Sequence, residues 1–319
     1  GGQAPAAIRR GVRRSGGKVS SHSLRDQRGD RGGMNTQFWL IQAFNGISYG
    51  ALLFLVGSGL SLIFGVMRIV NLSHGSYFLL GGYVALSVIW TTGSWALAMP
   101  VAALALAAVG LLMERIFLRP LGFDPLRQVL LTVGFAFLFQ QAALDIWTGN
   151  NFDINPPQAL TQSIVVGGLY LPLYRVFMIA MAAAIGIALW LVMEKTRMGA
   201  AVRATVDDAQ MARGVGIDTS RISMLIFALG AFLAALGGVI GGAFLGIYPG
   251  LDFEMLPIAF AVVIIGGMGS LGGAAIGALI VGLADNFGKA LFPEVSYFTL
   301  YAPMALILAV KPTGLFGRE

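Results

Sequence analysis

The amino-acid sequence predicts an all-α, polytopic integral membrane protein with about eight transmembrane helices. Of its 319 residues, 57% are hydrophobic and 11% are charged, whereas soluble domains contain about 25% charged residues. Seven long stretches carry no charge and no regular polar face, which excludes a large soluble protein with amphipathic helices. These stretches are Phe38–Met67, Ile69–Met113, Gln128–Leu144, Val176–Met193, Ile222–Leu251, Met255–Ala284 and Val295–Val310.

The longest of these stretches, Ile69–Met113, has 45 residues, and a membrane-spanning helix needs about 20. Thr91, Thr92, Gly93 and Ser94 lie near its middle and are weak helix formers. We therefore expect two spans that are separated there. The six other stretches contribute one span each, which gives the total of about eight.

Residues 1–33 differ from the rest of the chain in charge. They carry eight basic and two acidic residues, whereas the remaining 13 basic and 13 acidic residues balance. This segment is rich in glycine, arginine and serine, so we expect a disordered basic leader followed by a transmembrane domain over 34–319. Non-native upstream sequence, a transit peptide and a nucleic-acid-binding arm are the alternatives for the leader, and we expect no nucleic-acid partner.

The loops predict an orientation, because Lys and Arg favour the cytoplasmic side of a membrane. Loops 114–127 and 194–221 carry three and five basic residues, whereas loops 145–174 and 247–254 carry only acidic ones. The external loop 145–174 includes a predicted hairpin over Val165–Pro172. One span within 255–286 would leave the C-terminal tail outside, although its basic residues favour the inside. A broken or re-entrant segment removes this conflict.

Two short segments place small and polar residues inside apolar runs, Asn71–Gly75 and Gly266–Gly273. Non-helical backbone at membrane depth is tolerated where it lines a cavity or is buried in protein, and transporters place paired helix breaks on the substrate path. Close packing through glycine is the alternative interpretation. The candidate residues of a translocation path are Asn45, Asn71, His74, Gln140, Gln141, Gly266, Gly267 and Ser270.

The cytoplasmic segment Met198–Asp218 is longer than a simple connection between two spans requires. Ala200–Arg213 predicts one amphipathic helix of about four turns that ends at glycines, and Asp218 is expected to cap the next span. A helix resting on lipid would be rich in basic and aromatic residues. This one is rich in alanine and includes acidic residues, so we expect it to bind a groove in another protein.

The same segment carries the pattern Arg203-Ala…Asp208…Ala212-x-Gly214…Gly216-Ile217. This pattern resembles the cytoplasmic coupling loop of branched-chain amino-acid ABC importer permeases. The segments that begin at Asn45-Gly46 and Ile69, the glycine-rich runs 227–238 and 259–273, and the ending Lys311-Pro312-Thr-Gly314 are similar to that family in the same order. The resemblance covers roughly 34–319.

The resemblance implies a permease subunit of the bacterial inner membrane. It implies a pore shared with a second homologous permease, two cytoplasmic ATPase subunits and a periplasmic solute-binding protein. The residues that would contact an ATPase are Arg203, Asp207, Asp208, Arg213, Gly214 and Gly216. The sequence has no Gly-x-x-x-x-Gly-Lys-Ser/Thr phosphate loop, so ATP is expected on the partner subunits and no cofactor on this chain.

Several functional classes stay open at this point. The solutes to consider are branched-chain or related amino acids and, as alternatives, urea, short amides or sugars; a secondary transporter without ATPases is a further alternative. The chain has no cysteine, which excludes disulfides, thiolate metal sites and a cysteine nucleophile. We identified no catalytic or metal-binding constellation, so the sequence predicts a non-enzymatic subunit.

Overall fold

The computed structural model describes residues 23–122 and 124–317, and within these ranges it contains eleven α-helices and one two-stranded sheet. The helices are α1 (Ser23–Met67), α2 (His74–Thr92), α3 (Trp95–Met113), α4 (Pro125–Trp147), α5 (Leu173–Lys195), α6 (Arg197–Asp207), α7 (Ala209–Gly214), α8 (Thr219–Leu245), α9 (Leu251–Gly266), α10 (Leu271–Leu291) and α11 (Ser296–Val310). The antiparallel strands are β1 (Ser163–Val166) and β2 (Leu169–Pro172).

Six helices of the described chain are long and apolar enough to cross a membrane, which agrees with an all-α polytopic membrane protein. They are Thr36–Met67, Trp95–Leu121, Pro125–Trp147, Leu173–Lys195, Thr219–Leu245 and Leu271–Leu291. Helices α2, α9 and α11 are outside this group, and α9 and α11 have only 16 and 15 residues. The expected count of eight spans is therefore not confirmed.

Helices α1 and α8 form the centre of the bundle, whereas α4 and α5 lie at its periphery. The most apolar windows of α1 and α8 are 72% and 78% buried, compared with 17% for α4 and α5. Helix α8 packs against both α2 and α3. Glycine allows this close packing: a Cβ atom added at Gly59 of α1 would lie 2.7 Å from the carbonyl oxygen of Gly230 in α8. Small residues thus bring the central helices together.

The structure confirms two of the predicted turns. Helix α2 ends at Thr92 and α3 begins at Trp95, separated by Gly93 with a positive φ of 68° and by Ser94. The predicted hairpin forms as β1 and β2, with Ser163 opposite Pro172. Residues 1–22 of the expected leader lie outside the described residues, and α1 begins at Ser23, so disorder of residues 1–33 stays a prediction.

Candidate functional site

The first predicted helix break lies between α1 and α2 and is held by side chains. Helix α1 ends at Met67, and Arg68 follows in the left-handed region with a φ of 53°. Asn71 is fully buried, and its Oδ1 accepts hydrogen bonds from the backbone N–H of Ser73 (3.1 Å) and from the Ser73 hydroxyl (2.7 Å). The N–H of Leu72 donates to Thr132 Oγ1 of α4 at 3.2 Å. Side chains therefore satisfy the backbone groups that the helix break frees.

The first turn of α2 continues this polar region into the interior. His74 is fully buried, and its Nε2 lies 2.9 Å from the carbonyl oxygen of Val56 in α1. A carbonyl can only accept, so Nε2 carries the proton and a neutral ring leaves Nδ1 as an acceptor. The hydroxyl of Ser76 donates to Asp252 Oδ2 of α9 at 3.1 Å, and Asp252 is 2% exposed.

We call these five residues the break cluster: Asn71, Ser73, His74, Ser76 and Asp252. Three of their buried polar atoms find no hydrogen-bond partner within the described chain: Asn71 Nδ2, His74 Nδ1 and Asp252 Oδ1. Each such atom costs about 1–3 kcal/mol, and more where the group is charged. Unpaired polar groups that are retained inside a membrane bundle are candidates for a solute path.

The second predicted break lies between α9 and α10, at residues 267–270, and is held mainly by backbone. Gly267 and Gly269 have positive φ angles of 100° and 83°. The N–H groups of Leu315 and Phe316, from the C-terminal tail, donate to the carbonyl oxygens of Ile265 (2.9 Å) and Gly266 (3.0 Å). Ser270 caps α10 through a 3.0 Å hydrogen bond from the N–H of Gly273. Both predicted breaks are therefore present.

The remaining path candidates lie on other surfaces. Asn45 of α1 accepts a hydrogen bond from Arg175 of α5. Gln141 is exposed on α4 and donates to Asp145 Oδ1 at 2.9 Å, and the neighbouring Gln140 is half-buried. No hydrogen bond among the described residues joins these three side chains to the break cluster. The structure thus places the predicted path residues at four locations: the α1–α2 break, the α9–α10 break, Asn45 beside Arg175, and Gln140 with Gln141 on α4.

Sequence reasoning missed Ser76 and Asp252. Asp252 was assigned to the external loop 247–254, because that loop carries only acidic residues and directly precedes the uncharged stretch that starts at Met255. In the structure it belongs to the first turn of α9 and is buried. A carboxylate directly before an apolar run was the only available signal, and it does not distinguish a loop from a buried helix start.

Segment 197–214 forms two helices, α6 and α7, and the prediction of one continuous helix over Ala200–Arg213 was wrong. Asp208 separates them with extended backbone, and its Oδ1 accepts hydrogen bonds from the N–H groups of Gln210 (2.8 Å) and Met211 (2.9 Å). An aspartate side chain that captures these N–H groups starts a new helix. We call residues 197–216, which comprise both helices and the turn after α7, the elbow.

Both ends of the elbow are attached to membrane-spanning helices. Arg203 donates to the carbonyl oxygen of Met193 and lies 3.4 Å from Glu194 Oε2, both in α5. Arg213 Nε donates to Thr219 Oγ1 of α8 at 2.7 Å. The predicted cap of α8 is confirmed, since Asp218 Oδ1 accepts from the N–H of Arg221 at 3.1 Å.

The predicted coupling residues are mostly on the surface of the elbow. Arg203, Asp207, Asp208, Arg213, Gly214 and Gly216 are exposed. Gly216 has the predicted positive φ, at 89°, whereas Gly214 is the last residue of α7. Two large apolar side chains that the prediction omitted, Met211 and Val215, are 67% and 71% exposed.

Two cavities flank the elbow. One of about 430 Å³ separates it from the ends of α3, α4 and α8 and includes Glu114, Gln128 and Arg213 in its wall. The other, of about 760 Å³, is bordered by Arg203 of α6, by Ser270 and by Phe316 of the tail. No group of three or more His, Asp or Glu side chains in the described part of the chain could hold a metal ion.

The family model and the individual relatives that match this chain indicate the same kind of protein. Residues 42–308 match the family described as branched-chain amino acid transport system / permease component. The high-affinity branched-chain amino acid transport system permease protein LivH of Escherichia coli K12 is 32% identical over 305 residues, which cover 89% of this chain and 98% of that protein. The corresponding permease protein BraD of Pseudomonas aeruginosa is 28% identical over 88% of this chain and 96% of its own length.

A second permease protein of the same named system in Escherichia coli K12, LivM, is 26% identical over 82% of this chain and 67% of its own length. No solved structure matches the chain.

Proposed function

Because the chain belongs to the family of branched-chain amino acid transport permease components, we propose that it forms the translocation subunit of an ATP-driven importer. The multi-pass chain resides in a membrane, the inner membrane in a bacterium. Its solutes are branched-chain or related amino acids, delivered by a periplasmic binding protein. The observation that carries the ATP-driven mechanism is the elbow, because a transporter without ATPases has no need of a fixed cytoplasmic docking element.

The elbow has the features of a docking element. Met211 and Val215 are two exposed apolar side chains on a surface that is otherwise polar, and such exposed apolar groups mark binding sites. Asp207, Asp208 and Arg213, which are close to them in sequence, are exposed charged residues. Since Arg203 anchors the elbow to α5 and Arg213 anchors it to α8, movement of a bound ATPase would displace two membrane helices together.

The fold supports a topology in which the tail is cytoplasmic. The stretch 255–286 is divided at residues 267–270 into α9 and α10, so it crosses the membrane twice. The tail residues Pro312 and Phe316 border the same cavity as Arg203 of the elbow. With α2, α9 and α11 counted as shorter passes beside the six long helices, residues 41–317 cross nine times, and the basic tail lies inside with the basic loops.

The break cluster is the proposed contact for the solute. An α-amino acid presents an ammonium group that donates hydrogen bonds and a carboxylate that accepts them. The break cluster offers acceptors for the ammonium group and a donor for the carboxylate. Asp252 Oδ1 and His74 Nδ1 are unpaired acceptors, whereas Asn71 Nδ2 is an unpaired donor. Buried groups that are left without a partner discriminate strongly between ligands that can and cannot pair with them.

The remaining subunits are proposed from the relatives. LivH and LivM of Escherichia coli are both named as permease proteins of one transport system, which supports a pore formed by two related permeases. The sequence has no phosphate-binding loop. We therefore place ATP on two separate cytoplasmic ATPase subunits and no cofactor on this chain.

Co-expression tests the proposal. The tagged chain, expressed with the ATPase and permease reading frames of its own operon, should capture the ATPase and support ATP-dependent uptake of radiolabelled leucine in proteoliposomes. Met211→Asp should reduce ATPase capture about tenfold or more, since hot-spot contacts contribute at least about 2 kcal/mol. Gln210→Ala, a change of a neighbouring exposed residue, is the matched control and should retain capture.

Two results would contradict the proposal. Uptake that persists without any ATPase would identify a secondary transporter. Undiminished ATPase capture by both Met211→Asp and Val215→Asp would remove the elbow from the docking site. If ATP-dependent uptake is present but urea, a short amide or a sugar replaces leucine as the solute, the permease assignment stands and the amino-acid assignment fails.

A further inference from the structure

The smaller of the two cavities beside the elbow has the dimensions of a ligand site. Its volume of about 430 Å³ falls within the usual range of about 300–1,000 Å³ for small-molecule pockets. Its wall combines the cytoplasmic ends of α3 and α4 with the elbow and the start of α8. The apolar part includes Val66, Met67, Leu118 and Ile217, and the polar part includes Glu114, Arg119, Gln128, Thr205, Arg213 and Thr219.

Glu114 is the unusual residue of this wall. It is 2% exposed, and its Oε2 has no hydrogen-bond partner within the described chain. It is also the first residue of a π-helical turn, Glu114–Leu118, that extends α3. Short π-helical segments are rare and often occur at functional positions. One oxygen of this buried carboxylate lacks a hydrogen bond, which is costly, so a cationic group that enters the cavity would find an acceptor at Oε2.

The positive side of the cavity is formed by guanidinium groups. Arg119 lies in the wall five residues after Glu114 and interacts with it electrostatically, but it forms no ion pair within 4.0 Å among the described residues. Arg213 of the elbow donates to Thr219 Oγ1 and faces the same cavity. A buried carboxylate beside guanidinium groups can bind a ligand that carries one positive and one negative group.

Other ligand classes fit this wall less well. The other carboxylate of the cavity, Asp218, already caps α8 and pairs with Arg221 at 2.8 Å, so a divalent cation would have too few oxygen ligands. A simple anion would be repelled by Glu114. A zwitterion with an apolar side chain satisfies Glu114, Arg119 and the apolar wall together.

We propose that this cavity is a cytoplasmic regulatory site for a zwitterionic α-amino acid, with its ammonium group on Glu114 and its carboxylate on Arg119. The proposal rests on the proposed function, because it takes the transported class of solute as the ligand. Since Thr205 of α6 and Arg213 of α7 line the cavity with Glu114 of the α3 extension, an occupant would fix the elbow against the bundle. Imported amino acid would thereby slow further import from the cytoplasmic side.

The test uses the complete transporter in nanodiscs with L-leucine as the probe. L-leucine added without the binding protein should raise the melting temperature and inhibit ATP hydrolysis. Leucinamide, which lacks the carboxylate, and 4-methylpentanoate, which lacks the ammonium group, should do neither. Glu114→Gln and Arg119→Ala should each weaken leucine binding about tenfold or more, as the loss of one partner in a charge pair does.

Two control variants make the test specific. Glu294→Gln, the same chemical change at an exposed residue of the described chain, should bind leucine like the wild type. Asp252→Asn should retain leucine binding in the cytoplasmic cavity, because it alters only the break cluster. Glu114→Gln and Arg119→Ala must both elute as intact complexes, and Arg119→Ala serves alone if Glu114→Gln fails to fold.

Unchanged leucine binding in a folded Glu114→Gln or Arg119→Ala complex would overturn the proposal, as would leucine binding without inhibition of ATP hydrolysis. Absence of cytoplasmic leucine binding to the wild type would also overturn it, while ATP-dependent uptake and ATPase capture would still support the proposed function. Failure of ATPase capture would overturn the proposed function and the regulatory role together, even if leucine binding depended on Glu114.

Discussion

The two helix breaks interrupt apolar runs of similar character, yet they are built from different parts of the chain. Between α1 and α2, side chains support the break: Asn71 accepts two hydrogen bonds from Ser73, and His74 donates to α1. Between α9 and α10, glycines with positive φ make the turn, and tail backbone N–H groups satisfy the carbonyls of Ile265 and Gly266.

This difference separates a structural turn from a candidate site. The α1–α2 break keeps buried polar side-chain atoms without partners, such as His74 Nδ1 and Asn71 Nδ2, whereas no side-chain nitrogen or oxygen of residues 267–270 has that property in the described structure. Backbone bonds close a turn but present little to a solute. Side chains with unused donors and acceptors retain binding capacity at a cost in stability.

The largest effect is expected where the α9–α10 break depends on glycine. Gly267→Val forces a β-branched residue into a φ of 100° and brings its Cβ within 2.8 Å of the Phe316 carbonyl carbon. The left-handed backbone costs about 1–2 kcal/mol and the overpacking about 1–3 kcal/mol more. A loss of about 2–5 kcal/mol in stability should appear as a lower melting temperature in detergent and a loss of monodisperse protein.

Gly272→Ala is the matched control for that change. Gly272 lies in the first turn of α10, has no positive φ, and a Cβ there meets no atom within 4 Å. Alanine in a helix is favoured over glycine by roughly 0.5–1 kcal/mol, so stability should be unchanged or slightly higher. Equal destabilisation by both substitutions would show that the break does not depend on its backbone conformation.

The α1–α2 break should respond to loss of side-chain acceptors. Asn71→Ala leaves the N–H and hydroxyl of Ser73 without their acceptor and should reduce stability by about 2 kcal/mol. The double variant Asn71→Ala/Ser73→Ala should be less destabilised than the sum of the single variants, because the orphaned hydroxyl is also removed. Thermal melts of the four proteins measure this coupling, and strict additivity would contradict it.

Asp252→Asn should reduce transport more than stability. The amide oxygen can still accept from Ser76, so the fold is retained, but the negative charge proposed to receive the solute ammonium is lost. Leucine uptake should fall about tenfold, which corresponds to about 1.4 kcal/mol. Glu254→Gln, at an exposed residue that accepts from the Tyr248 hydroxyl at 2.8 Å, is the control. If both variants transport like the wild type, Asp252 is not on the solute path.

The smallest effect is expected for the cap of α10. Ser270→Ala removes the acceptor of the Gly273 N–H and should cost about 1 kcal/mol, with transport unchanged once expression is normalised. The measurement is a melting curve together with leucine uptake per mole of protein. A reduction in uptake without a change in melting temperature would assign this break a role in the solute path as well.

Sequence patterns predicted where the helix breaks lie but not which side chains meet there. Glycine, asparagine and serine within apolar runs indicate non-helical backbone through local propensity, and both breaks were found. The contact between Ser76 and Asp252 joins residues 176 positions apart, and no local pattern indicates such a pair. The elbow shows a different limit, because the contacts that break the helix at Asp208 are local, but the capture of two N–H groups by that side chain competes with a continuous helix.

The sequence by itself determined that the chain is helical and spans a membrane, because length and apolar content act locally along each segment. It also located the segment that carries the elbow, since the length and charge of a loop are local properties as well. Only the tertiary structure decided that 255–286 folds as a helical hairpin sealed by the tail, and which polar groups are buried without a partner. Those properties depend on which distant segments meet when the helices pack.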